Sequence, residues 1–191
     1  MAAATQSASK KSSSSKSKSA GLTSTGRPST SVKDAVSDLM RDHRTVEKLF
    51  KDYEKAKDEA QKEEIFHQIH MELTVHTSIE EEIFYPASRE YVKDEEMVKE
   101  AVVEHASAKD LMAQLNKMSP SDEYYDAKVK VLQEMIEHHV EEEESEYFPE
   151  LRKSDMDLKG IAEPMRARKE ELMGKMGAMG KKMDGGGRGV H

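Results

Sequence analysis

Cysteine is absent from the 191 residues. Without thiols the chain forms no disulfide, no iron–sulfur cluster and no thiolate-held zinc or blue-copper site. Any metal it holds must rest on histidines and carboxylates. Tryptophan is absent too, and aromatic residues make up 5% of the chain. Residues 1–30 and 156–191 contain none, so neither end offers a platform on which bases could stack. No apolar run approaches the ~20 residues of a membrane span. The N-terminus lacks the apolar stretch of a secretory signal. No membrane partner is expected, and the default compartment is cytoplasmic. Apolar and charged residues each make up 36% of the chain, a balance that suits helices with solvated faces better than a buried sheet.

The net charge of −8 conceals an uneven distribution. Residues 1–33 carry six Lys or Arg and no acid, and residues 159–191 carry eight basic residues against four acids. Between them, residues 34–158 carry 16 basic and 34 acidic residues. An acidic centre argues against nucleic acid as a partner. Residues 1–30 are dominated by Ser, Ala, Thr and Lys with one Leu, and such a segment is expected to be disordered. An organelle transit peptide is a weaker alternative, because the segment has one Arg and no amphipathic face.

One stretch occurs twice. His76-x-x-x-Glu80-Glu81 leads to Tyr85-Pro86 and Arg89, and 63 residues on His139-x-x-x-Glu143-Glu144 leads to Phe148-Pro149 and Arg152. The duplication is wider: Asp42-His43 with Leu49-Phe50 matches Glu104-His105 with Leu111-Met112. Four apolar seams stepping by three and four run through it. The first helix starts near Ser31, with Ser31 and Asp34 as a capping box; its seam is Val32, Val36, Leu39, His43, Val46, Phe50 and Tyr53. The second starts near Asp58, carries Ile69, Leu73, His76, Glu80 and Ile83, and is expected to stop at Pro86. The third runs from about Asp94 to Met118 with Val98, Ala101, His105, Ala108, Met112 and Leu115. The fourth runs from about Asp122 to Tyr147 with Val129, Leu132, Ile136, His139, Glu143 and Tyr147, and Pro149 stops it. The expected fold is all-α, an up-down-up-down four-helix bundle of two duplicated hairpins over residues 31–155. Residues 156–191 read as a short helix, Pro164 to about Met173, and a flexible Met/Gly-rich tail.

Six polar residues occupy seam positions: His43, His76, Glu80, His105, His139 and Glu143. A buried unpaired carboxylate costs several kcal/mol, and an unpartnered imidazole roughly 1–3 kcal/mol. Six of them would consume the ~5–15 kcal/mol by which a domain is stable. A dinuclear metal centre satisfies all six, with terminal imidazoles and bridging Glu80 and Glu143. Glu81 and Glu144 follow their histidines by five residues, about 140° round the helix, and are poorer ligands unless the helix is distorted. His67, His70 and His138 lie off the seams. Tyr85, Tyr147 and Phe148 are expected to pack the bundle end, with Tyr147 alternatively a donor to the site. Arg89 and Arg152 are expected to cap helices or pair with surface acids.

Lone His43, His76-x-x-x-Glu80, lone His105 and His139-x-x-x-Glu143 together resemble the hemerythrin-like, or HHE cation-binding, domain family. The resemblance covers about residues 31–152 and implies two Fe ions that meet O2 or related small molecules. It also marks a departure. Oxygen-carrying hemerythrins have a further histidine one turn before the third-helix ligand, where this chain has Ala101, and the turn after His105 holds Lys109. That favours binding or sensing of O2, peroxide, NO or iron over oxygen carriage, and a binding protein over an enzyme. Two alternatives stand: an enzyme consuming peroxide or NO, and a zinc-bound or metal-free interaction module working through its basic tails. His and carboxylate ligands also suit Zn and Mn. No protein partner is indicated.

Overall fold

The computed structural model describes residues 33–184. The segment expected to be disordered, Ser31 and Val32, and the residues from Gly185 onward lie outside it. Helix α1 spans Ala35–Lys55. Its cap is Asp34, three residues later than the expected Ser31, because Asp34 Oδ1 accepts the Ser37 N–H at 2.8 Å. Helix α2, Glu59–Ile79, is capped by Asp58 as its spacing foretold. Helix α3 is Glu96–Leu115 and α4 is Tyr125–Glu142. The short link from Lys55 to Glu59 makes α1 and α2 antiparallel neighbours, and α3 packs against α4 in the same way. The described chain is all-helical, and the expected bundle of two hairpins is present.

The prolines do not end α2 and α4. Each helix passes through a π turn, Glu80–Phe84 or Glu143–Tyr147, and then a further α turn, Tyr85–Ser88 or Phe148–Leu151. Tyr85 and Phe148 keep helical backbone angles although each precedes a proline. Their N–H groups donate five residues back, to the carbonyls of Glu80 and Glu143. The widened turn absorbs one extra residue, so each proline enters at the start of a new turn, where its missing N–H matters least. The extra residue also rotates the seam: Phe84 is fully buried where Ile83 was expected, and Ile83 is half-buried.

The C-terminal helix is longer than its sequence suggested. Helix α5 spans Leu158–Asp184 with Pro164 inside it. It begins six residues before Pro164 because Asp157 Oδ1 accepts the Gly160 N–H at 2.9 Å. A side chain at Gly160 would collide with that carboxylate. Helix α5 lies across α1 and α2, burying Ala162 and Met165 and pairing Arg166 with Asp38 and Arg168 with Glu82.

Two apolar clusters fill the bundle. Leu39, Phe84, Val98, Phe148, Leu151 and Met165 belong to one, and Phe50, Phe66, Leu73, Met112, Tyr125 and Leu132 to the other. The six polar seam residues belong to neither cluster: each helix places one histidine between the two, and Glu80 and Glu143 follow His76 and His139 by one turn, a polar layer in an apolar column.

Candidate metal centre

All six residues are buried, none more than 5% exposed. His43 Nε2 lies 3.2 Å from His76 Nε2, and His105 Nε2 lies 3.1 Å from His139 Nε2, so each hairpin contributes one imidazole pair. The two glutamates cross between the pairs. Glu80 Oε2 is 3.2 Å from His76 Nε2 and 3.5 Å from His105 Nε2. Glu143 Oε2 is 3.3 Å from His43 Nε2 and 3.8 Å from His139 Nε2. The structure therefore brings together the six residues that the seam pattern selected.

The far side of the imidazoles is organised by carboxylates. His43 Nδ1 donates to Glu144 at 2.9 Å, His105 Nδ1 to Glu81 at 2.9 Å, and His139 Nδ1 to Glu104 at 2.8 Å. The π turns make this possible, because they swing Glu81 and Glu144 onto the neighbouring helix's histidine and away from their own. An ionised carboxylate only accepts, so each of these Nδ1 atoms carries a proton, and each ring, once neutral as a metal ligand must be, presents a lone pair at Nε2. His105 and His139 would then face each other with two lone pairs. A shared proton would join the rings, yet both Glu80 oxygens and Glu143 Oε2 would still lack hydrogen-bond partners. A cation satisfies rings and carboxylates together, and this donor set fits one.

His76 is the exception. Asp42, its counterpart to Glu104, stops 3.9 Å from its Nδ1, which has no hydrogen bond. Asp42 is held instead by Lys169 of α5, at 2.5 Å.

The field in the layer is strong. Burial raises Glu80 well above the usual carboxylate range, and the nearby Glu143 charge adds to it. Burial acts the same way on Glu143, but His139, His43 and His76 outweigh it and hold it below the usual carboxylate range. Burial opposes charging His43, yet Glu143 and Glu144 lift it to about 9. Burial and the adjacent His139 press His105 down to about 2. Without a cation, the layer thus holds imidazoles and carboxylates pushed in opposite directions.

The phenol that reaches the site is Tyr85, not Tyr147. Tyr85 OH donates to Glu143 Oε1 at 3.0 Å, whereas Tyr147 OH shares a hydrogen bond with Ser88. The two copies differ here, since Tyr85 corresponds to Phe148. Phe148 stacks on His43, and Tyr85 stacks on His105. Arg152 pairs at 3.3 Å with Asp34, which is the buried cap of α1 and not a surface acid. His67 and His138 are exposed and His70 is half-buried. The residues the seam pattern passed over are Asp42, Glu81, Glu104 and Glu144. The signal for them was present: an acid stands directly before each lone histidine, and the second Glu of each doublet follows each seam glutamate.

A cavity of about 80 Å³ opens between α3 and α4 beside Ala101 and reaches Tyr85, His139 and Glu143.

A family model of the hemerythrin HHE cation binding domain matches residues 34–151. A relative from Nostoc sp., named DNA nickase, is 30% identical over 145 residues, covering 74% of this chain and 41% of that protein. This chain therefore spans about two fifths of the relative's length. A crystal structure of a hemerythrin HHE cation binding domain-containing protein from Mycobacterium kansasii superposes with a TM-score of 0.65 at 25% identity. That match covers 81% of this chain and 94% of the other.

Proposed function

The chain belongs to the hemerythrin HHE cation-binding domain family, and on that ground we propose that residues 31–155 form a non-haem di-iron domain that binds or senses a small redox-active molecule. One observation carries the reading. Glu80 belongs to two donor groups at once, with His43, His76 and Glu143 on one side and with His105 and His139 on the other. Two groups sharing a buried, unpartnered carboxylate call for two cations and a bridge. His43, His76, His105 and His139, with Glu80 shared between the two groups and Glu143 beside both His43 and His139, would hold the cations. Glu81, Glu104 and Glu144 orient three of the rings and raise their basicity. Tyr85 holds Glu143 in place. Ala101 leaves open the space a further histidine would fill, and the cavity there has room for water or a small ligand. Two iron ions would supply a redox couple with vacant positions for O2, peroxide or NO.

The reading of a peroxide- or NO-consuming enzyme rests on the same open cavity. Steady-state consumption of peroxide separates it from binding alone. The name of the Nostoc relative raises strand cleavage, but the acidic cavity rim would repel a phosphate backbone, and a supercoiled plasmid tests it directly.

Elemental analysis of untagged protein, with absorption spectra in air and after dithionite, tests the proposal. Two irons per chain and near-ultraviolet absorption lost on reduction are expected. Each ion removed should cost about 2.7 kcal/mol when held at a hundredfold excess over its Kd, a fall in Tm on the order of 5–10 °C per ion. Zinc, or a fully folded chain that takes up no metal, would overturn it.

A further inference from the structure

Each of the four outer carboxylates closes one seam between helices, and three of them are neutralised. Asp42 is paired with Lys169 of α5, Glu81 with Lys109 at 2.6 Å, and Glu144 with Arg44. Glu104, at the α3–α4 seam, is different. Its Oε2 accepts from His139 at 2.8 Å, and its Oε1 faces the exposed His138 at 3.8 Å. Among the described residues no Lys or Arg pairs with it. The same holds for Glu100, Glu142 and Glu146, which line the mouth of the cavity at this seam. Glu142 Oε1 lies 3.4 Å from His138 Nε2, so Glu104, His138 and Glu142 form a mixed imidazole–carboxylate group at the surface. At the inner end stands Glu143, only 3% exposed, whose Oε2 has no hydrogen-bond partner.

We propose that the α3–α4 seam is the loading route for the metal: Glu104, His138 and Glu142 form a transient docking site for a divalent cation at the surface, and the cavity passes it to Glu143 and His139. The mouth combines four carboxylates that no Lys or Arg pairs with, stands beside the exposed His138 imidazole, and opens onto the buried Glu143 side chain. Converging fields of one sign raise the local cation concentration and the on-rate. At the other three seams the carboxylate nearest the centre is already paired with a lysine or an arginine. Glu104 is the relay, since one of its oxygens belongs to the surface group and the other to an imidazole of the centre. The proposal rests on the metal-centre reading.

The test is the rate at which the metal-free full-length chain takes up iron(II) under anaerobic conditions, read by competition with a colorimetric iron(II) chelator. A Glu100→Gln/Glu142→Gln/Glu146→Gln variant should load about tenfold more slowly at low salt. The gap should close at high salt, and the final iron content should match wild type. Glu59→Gln/Glu63→Gln/Glu64→Gln removes the same charge at the far end of α2 and should load at the wild-type rate. His138→Ala should slow loading and leave the final content unchanged. Wild-type loading by the mouth variant, equal slowing by the distant variant, or a lower final content in His138→Ala would overturn the route. If wild type itself ends without two ions, the metal centre fails and the route with it. Two ions at unchanged rates fail the route alone.

Discussion

The two hairpins carry the same frame, and they treat their second histidine differently. In the α3–α4 hairpin, Glu104 closes on His139 Nδ1 at 2.8 Å. In the α1–α2 hairpin the equivalent Asp42 has one methylene less, stops 3.9 Å from His76, and is engaged by Lys169. The first hairpin is covered by α5, and the second is open to solvent through a cavity. A duplicated binding frame therefore need not give two equivalent halves. One atom of side-chain length and one added helix separate a closed flank from an open one.

Changes at the glutamate shared by the two donor groups should abolish the comparison altogether, and they carry the largest expected effect. Glu80 touches one imidazole of each hairpin, so Glu80→Ala should empty both halves. His76→Ala should lower metal content as sharply. His67→Ala, on an exposed face, should keep wild-type content, and equal loading in all three would remove the site assignment. The buried Glu80 carboxyl has no partner without a cation. The metal-free Glu80→Met chain should thus resist denaturant better than the metal-free wild type, by on the order of 1–3 kcal/mol.

The bundle and the six inner residues were legible because both follow from periodicity. A polar residue at an apolar step of a regular helix stands out, and four helices with a histidine at the same step cannot be read otherwise than as one layer. What stayed hidden depends on departures from regular geometry. Nothing in Glu80–Phe84 announces a π turn, so the seam appeared to run through Ile83 and the helix to end before Pro86. The same one-residue slip kept Glu81 and Glu144 off the site, since at regular pitch they point elsewhere. Tyr85 was hidden for the same reason. Helix α5 was underestimated because Pro164 masked a start set by Asp157, and because the seam of α5 is anchored by Met165 and by ion pairs to α1 and α2 that only the folded chain brings near.

Exchanging the two outer acids sharpens the comparison with a middle-sized effect. Glu104→Asp should draw the carboxylate back from His139 and weaken metal binding about 10–100-fold, the range found when an acid supporting a ligating histidine is lost. Asp42→Glu should do the reverse at His76, extending the acid to hydrogen-bond distance and tightening binding in the first hairpin. Chelator competition on the two single variants and the double exchange would read this. Affinities moving in the same direction in both single variants would show that the two flanks do not act through their imidazoles.

Lys169→Met carries the smallest expected effect on stability, and it isolates what α5 does to the centre. The Lys169–Asp42 contact is short, 2.5 Å, but the lysine side chain is 29% exposed. A pair of this kind contributes about 0–1 kcal/mol, so Tm should move by no more than a few degrees. The local consequence is larger than the global one. Released from the ammonium group, Asp42 still lies 3.9 Å from the unpartnered Nδ1 of His76. Rotation toward it would give His76 the support that the other three imidazoles already have. Metal affinity should then rise a few-fold while Tm stays near wild type, a combination that loss of a merely structural contact would not produce. Lower affinity would mean that Lys169 steadies Asp42 beside His76, and that α5 serves the first hairpin as a brace.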